Sequence, residues 1–279
     1  MHTFSYVKAT SVKNAGETLA ANAEAKLLSG GMTLLPTMKA RLASPSYLID
    51  IAGLSELAGI EAKDGKLSIG AATRHVEVSR SAVVKKAIPA LAYLAGIIGD
   101  PQVRNRGTIG GSLANNDPAA DYPSAVLALN ATVVTNKREI KADDYFQGLF
   151  ATALEAGEMI LKVVFPVPAK AAYEKFRHPA SGYAMTGSFV AQSGKNVRVA
   201  ITGAGPGVFR WTDAEAALTK KLDASVLDPL SVDATNLNED MHGTKEYRAN
   251  LAKVMTQRAV AKIAKSAAKS ATTKSSGKK

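Results

Sequence analysis

The residues best suited to chemistry are two pairs of adjacent glycines, Gly30-Gly31 and Gly110-Gly111. Ser29 and Thr33 flank the first pair with hydroxyls, and Thr108 and Ser112 flank the second. Adjacent glycines let the main chain approach an anion closely, and their amide N–H groups can form a nest for phosphate together with such hydroxyls. Arg104 and Arg106 stand just before the second pair. Either turn alone is compatible with a plain tight turn or with a helix packed on close glycines. Two in one domain fit a dinucleotide, whose pyrophosphate carries charge that several amides can share. Neither has the G-x-G-x-x-G spacing of a Rossmann nicotinamide site.

Composition removes other chemistries. The chain has no cysteine, so disulfides, thiolate zinc sites and an all-cysteine iron-sulfur cluster are excluded. His2, His75, His178 and His242 have no ligand-like spacing, so no metal site is expected and they read as surface or locally hydrogen-bonded groups. No cluster of histidine, cysteine or paired carboxylates converges in the sequence, so no residue is expected to act as a substrate acid or base. Of the net charge of +11, eight units lie in residues 250–279, which hold Lys253, Arg258, Lys262, Lys265, Lys269, Lys274, Lys278 and Lys279 and no acid. Aromatics that stack on bases are missing there, which argues against nucleic acid and leaves polyanion contact as a minor alternative. The start, MHTFSYVKAT, lacks a secretory pattern, and no apolar run nears the roughly 20 residues of a membrane span, so a cytoplasmic location is expected.

The elements that must carry the glycine turns read as strand, helix, strand over TFSYVKA, 12–22 and AKLLSGG, with Ser11 or Asn14 as the helix cap. YLIDI closes this unit near Ile51. Lys63-Asp64-Gly65 marks a hairpin, Thr73 is a candidate cap for a helix from about Val76, and a helix follows over 89–98. Pro166 and Pro168 mark a boundary, and strands paired around Ser193-Gly194-Lys195-Asn196 lead into helices from Asp213. The expected class is α+β. Residues 1–168 form a first domain with parts at about 1–52 and 53–168. Residues 169–265 form an antiparallel sheet with helices, and 266–279 a basic, low-complexity tail without fixed structure.

The runs SGGMTLLPTMKARLASPSYLIDI, VRNRGTIGGSLANNDPAADYPSAVLALNA and YEKFRHPASGYAMTG resemble the FAD-binding medium subunit of the molybdenum hydroxylases, the carbon monoxide and xanthine dehydrogenase type. The resemblance spans nearly the whole chain to about Arg258. It implies a two-part FAD domain of the vanillyl-alcohol-oxidase (PCMH) kind and a role as an oxidoreductase subunit. It also implies partners: a small [2Fe-2S] subunit and a large molybdopterin subunit in a dimer of heterotrimers, with electrons passing through FAD to quinone, NAD or oxygen. Carried over by position, Ser29, Gly30, Gly31, Met32, Thr33 and Leu34 form the first FAD loop, and Thr108, Ile109, Gly110, Gly111 and Ser112 the second. Asp121 matches an acidic FAD contact, Leu161 an apolar residue along the cofactor, Lys175 a basic contact near the flavin, and Tyr183 an aromatic beside it. Met32 departs from the polar residue common at its position, and Ser112 from asparagine. The bland readings are a helix cap for Asp121, a surface ion pair for Lys175, and core for Leu161 and Tyr183. A self-sufficient FAD-dependent reductase or oxidase of related fold is the alternative within flavoproteins.

Overall fold

A computed structural model describes residues 1–276, with side chains to residue 265. The chain opens with three short parallel strands, β1 (Ser5–Lys8), β2 (Ala25–Leu28) and β3 (Tyr47–Asp50), in the order β1-β3-β2. The helices Val12–Ala21 and Leu34–Lys39 make the connections that parallel strands require. Ser11 caps the first of them, its hydroxyl accepting from the Asn14 amide at 3.0 Å. The central strand β3 buries Leu48 and Ile49 completely or nearly so, each worth roughly 1.5–3 kcal/mol relative to exposure.

A five-stranded antiparallel sheet follows, built from β4 (Ile60–Lys63), β5 (Lys66–Gly70), β6 (Thr132–Thr135) and β7 (Glu139–Lys141). A two-stranded ribbon, β8 (Phe146–Gly148) with β9 (Ala151–Thr152), precedes its central strand β10 (Ile160–Pro166). Asp64 and Gly65 both have positive φ, as the hairpin between β4 and β5 demands. The expected Thr73 cap is corrected: the helix His75–Arg80 takes Arg74 as N-cap, and the Thr73 hydroxyl instead bonds the Gly59 backbone.

The third sheet is antiparallel, with β11 (Lys170–Arg177), β12 (Ala184–Ser193), β13 (Asn196–Thr202) and β14 (Phe209–Arg210) in sequence order. The helix Lys245–Ser276 packs on β11 and β12 from one side, and Tyr122–Ala128 packs on β12 and β13. Covered on both faces, β12 is buried from Ala184 to Ala191, which explains its small and apolar composition. The main core joins Leu67, Ile69 and Leu91 to Tyr173, Phe189 and Ala200. It therefore crosses the Pro166–Pro168 link without a break. The tail expectation for 266–279 concerns residues whose side chains lie outside the described set, and 277–279 lie outside it entirely; helical backbone runs to Ser276. Among the described residues no helix is long and apolar enough to cross a membrane.

Candidate functional site

The two glycine turns, flanked by Ser29 and Thr108 at a separation of 79 residues, meet in space. Strand β2 delivers Ser29 and Gly30 to the stretch between Arg106 and Thr108, where the Ser29 and Thr108 hydroxyls lie 3.1 Å apart. Gly30 is required there: a Cβ would stand 2.2 Å from the Arg106 carbonyl oxygen and 2.9 Å from Gly107 Cα. Gly31, at φ +72, turns the chain toward the helix Leu34–Lys39.

The loops differ in what their amides do. Ile109 N–H donates to Thr73 O (3.1 Å), Gly110 N–H to Ala71 O (2.9 Å) and Gly111 N–H to the Thr108 hydroxyl (3.2 Å). Among the described residues none accepts a hydrogen bond from the N–H groups of Gly30, Gly31, Met32 or Thr33. The first turn is therefore an open row of donors, and the second is mainly packing. Ile109 points into the core and Gly110 lies against Ala71, where a Cβ would come within 2.6 Å. Of that helix start, Gly111 is exposed and Ser112 half-buried beside an open space, whereas Thr108, Ile109 and Gly110 are buried.

That space is a cleft of about 790 Å³, within the ~300–1,000 Å³ usual for small-molecule sites. Ser29, Gly30, Gly31, Met32, Thr33, Leu34, Thr108, Gly110, Gly111, Ser112, Asp121 and Tyr183 all line it. Ile109, Leu161 and Lys175 are not among the lining residues. For Leu161 the cause is a bulge: the β10–β6 register shifts between Ile160 and Lys162, and Leu161 packs on the core of the first sheet instead. Met159 and Ile160 take its place in the wall.

Asp121 stands at the N-cap position of Tyr122–Ala128 but makes no side-chain cap bond. Its carboxylate accepts from Tyr173 Oη at 2.6 Å and from Lys175 Nζ at 2.9 and 3.1 Å. Lys175 is accordingly no surface ion pair, since its side chain is 1% exposed and that of Asp121 0%. Burial pushes the Asp121 carboxyl up and the Lys175 ammonium down, while the charge of each partner opposes that shift in the other. Tyr183 is half-buried; burial, then the charges of Asp117, Asp100 and Asp121, keep its hydroxyl protonated.

Two wall residues, Phe150 and His75, and one residue behind the wall, Asn116, were not anticipated. Phe150, exposed and at φ +51, tips the β8–β9 ribbon into the cleft. Asn116 holds that ribbon, donating to Gly148 O (2.9 Å) and Ala151 O (2.7 Å). No local sequence signal marks either residue. His75, read from sequence as a surface or locally bonded group, is instead buried in the wall with Nδ1 unpartnered.

The stretch 155–160 forms a further part of the wall, and Glu158 anchors it. Arg138 grips both carboxylate oxygens (3.1 and 3.2 Å), Thr135 Oγ1 donates at 2.7 Å and the Glu155 amide at 2.8 Å. Burial raises the Glu158 carboxyl, but these bonds outweigh it and bring it down to about 2. A depressed carboxylate stabilises the fold fully above its unfolded value near 4.5, and that contribution fades as pH falls toward 2. Glu158→Gln will therefore cost about 2 kcal/mol at neutral pH, and the gap to wild type will close below about pH 3. Urea melts across pH measure it; a gap constant with pH refutes the assignment.

Comparison with known proteins places these features together. Residues 2–168 match the family described as "FAD binding domain in molybdopterin dehydrogenase", and residues 171–263 the "CO dehydrogenase flavoprotein C-terminal domain". The glyceraldehyde dehydrogenase medium chain of Sulfolobus acidocaldarius is 36% identical over 94% of this chain and 98% of that one. The carbon monoxide dehydrogenase medium chain of Hydrogenophaga pseudoflava is 35% identical over 89% and 93%. A crystal structure of quinoline 2-oxidoreductase from Pseudomonas putida 86 superposes with a TM-score of 0.86 at 30% identity, covering 95% of this chain and 98% of that one.

Proposed function

The chain belongs to the family of FAD-binding medium subunits of the molybdenum hydroxylases, and from that premise we propose how its cleft serves as the flavin station of a larger oxidoreductase. The pyrophosphate of FAD lies along the open donor row of Gly30, Gly31, Met32 and Thr33. Gly111 and the hydroxyls of Ser29, Thr108 and Ser112 close on it from the other side. The observation that carries this reading is the donor row itself: four successive amides without an internal acceptor, opening into a cleft of suitable size. Such a set fits a dianionic linker and little else.

Asp121 keeps acceptor capacity beyond its bonds to Tyr173 and Lys175, and receives ribose hydroxyls. Lys175 acts through it, holding the carboxylate ionised and in place. Tyr183 and Phe150 supply flat apolar contact for the rings. When bound, FAD supplies electron transfer in one- and two-electron steps; the protein binds, orients and tunes it.

Substrate selection resides elsewhere in the assembly. Relatives named for glyceraldehyde, carbon monoxide and quinoline share this scaffold, and no group of three or more histidine, cysteine or carboxylate side chains gathers as a metal site among the described residues. With no cysteine to hold clusters, electrons reach this chain from a small [2Fe-2S] subunit, fed by a large molybdopterin subunit. The proposed whole is a cytoplasmic dimer of heterotrimers, with the acceptor meeting the flavin at the cleft.

Gly111→Val tests the binding mode. The new Cβ has one near neighbour, Thr108 Oγ1 at 3.0 Å, a side-chain atom that must shift slightly, while the branched side chain fills the cleft. FAD affinity should fall at least ~30-fold with an unchanged melting temperature; unchanged affinity counts against the loop assignment. Purification of the native complex, with molybdenum and iron assayed, tests the partners.

A further inference from the structure

Five separate stretches of the chain bring lysines to one end of the third sheet. The hairpin between β4 and β5 carries Lys63 and Lys66, which stand opposite each other in its last rung. Val167 N–H donates to Gly65 O at 2.9 Å and Ala169 N–H to Gln192 O at 2.8 Å, so this hairpin lies beside the end of β12. Lys170 begins β11 opposite Gln192, and Lys195 sits in the turn that follows β12. Val197 N–H donates to Thr219 Oγ1 at 3.1 Å, which sets Lys220 and Lys221 near that turn. The long helix follows β12 in the same direction, from Arg248 on Met185 O (2.9 Å) to Thr256 on Ser188 (2.8 Å). Lys265 and the chain after it therefore leave at this same end.

These seven lysines are exposed. The acids within the same stretches are Asp64 and Asp223, and the one ion pair the lysines make among the described residues joins Lys221 to Asp223 at 3.6 Å. Like charges directly opposite, as at Lys63 and Lys66, weaken a strand pair, so the arrangement does nothing for the fold. Residues 264–279 add Lys269, Lys274, Lys278 and Lys279 to Lys265, with no acid and no side chain more apolar than alanine.

What this surface recognises follows from what it holds and lacks. Lysine is a compact, hydrated point charge, whereas nucleic-acid sites favour the arginine fork and aromatic platforms for bases. The five stretches hold neither arginine nor an aromatic, and without a guanidinium fork they have no bidentate grip for single carboxylates. Val167, 37% exposed, stands among the lysines as a small apolar tip. A broad lysine field of this kind fits the headgroups of an anionic bilayer, where each lysine near the surface strengthens attachment about five-fold.

We propose that this end of the molecule is a docking surface for an anionic lipid bilayer, on which the chain lies without crossing it, held by the seven lysines of the folded body and the four that follow. The inference goes beyond the flavin reading and does not rest on it, since none of these lysines lines the cleft.

Sedimentation of the full chain with vesicles of phosphatidylcholine containing roughly one-third phosphatidylserine, beside vesicles of phosphatidylcholine alone, tests this. In about 0.1 M salt the chain should bind the anionic vesicles at least ~10-fold more tightly than the neutral ones, and it should come off in about 1 M salt, where screening is nearly complete. Lys170→Gln with Lys195→Gln should weaken that binding ~10-fold or more at an unchanged melting temperature. Lys265→Gln, Lys269→Gln, Lys274→Gln, Lys278→Gln and Lys279→Gln made together should weaken it at least as much. Lys13→Gln with Lys39→Gln, the same change of charge on the helices of the first sheet, should stay within ~2-fold of wild type. No binding to the anionic vesicles, or an indifferent Lys170–Lys195 pair, would overturn the proposal. Equal weakening by the control pair would also overturn it, by reducing the effect to net charge. Duplex DNA that displaces the vesicles at equal phosphate would do so too, and would name nucleic acid as the occupant. Flavin content enters none of these outcomes, so failure here and failure of the flavin reading are separable.

Discussion

Gly30→Ala will strip the flavin from this protein. The substitution adds one methyl group, yet that group would stand 2.2 Å from the Arg106 carbonyl oxygen and 2.9 Å from Gly107 Cα. Both are backbone atoms of the opposite loop, so no side-chain rotation relieves the clash. One loop must back away from the other by about an ångström, which parts the Ser29 and Thr108 hydroxyls and turns the open amides out of line. We expect FAD affinity to fall at least ~100-fold, about 3 kcal/mol of binding. Most of the fold should persist, because the main core, centred on residues such as Leu91 and Val163, lies away from this contact. Far-ultraviolet circular dichroism with FAD titration checks both parts. A variant that retains flavin at wild-type affinity would mean that the two turns do not cooperate on one ligand.

The second large effect is on stability. Lys175→Met removes the one ammonium bonded to Asp121 among the described residues and leaves a carboxylate with no exposed side-chain surface inside the protein. Breaking a buried pair from one side typically costs 3–5 kcal/mol, because the remaining charge is uncompensated. In a chain of this size that is a drop of roughly 10 °C in melting temperature. The penalty has a sign in pH. Without Lys175, the Asp121 carboxyl rises further, and a group raised in the folded state contributes stability that is lost as pH climbs through its folded value. The variant should therefore regain ground on wild type under mild acid. Asp121→Asn combined with Lys175→Met should recover most of the loss, since no charge is then left buried. If the single variant melts within about 1 °C of wild type, the pair is not the buried ionic lock that its geometry describes.

Local chemistry is legible in the sequence. Lys63-Asp64-Gly65 announced its hairpin because positive φ at two successive positions suits few residues, and Ser11 announced its helix because an unpaired amide needs a hydroxyl. The α+β class followed from strand and helix periods in the same way. The glycine pairs were visible as candidate anion sites, but not the division between them. That Ile109 and Gly110 spend their amides on Thr73 and Ala71 depends on a contact more than thirty residues away in sequence.

The same limit explains the other differences. Leu161 is off the cleft wall because one bulged residue reverses the alternation of a strand. Asp121 was readable as a cap or a ligand contact; its bond to Lys175 spans 54 residues and has no local trace. His75 looked like an ordinary helix-start histidine. Only the packing of Gly107 and Tyr122 around it, from two other helices' boundaries, makes it a buried group with an unmet nitrogen.

The most direct measurement is the binding stoichiometry of FAD on the purified full chain, by absorbance titration beside the Gly111→Val variant. The expected result is one saturable FAD per chain, with a structured visible band, and its loss in the variant. No saturable binding to the wild type, or equal binding by both proteins, would contradict it.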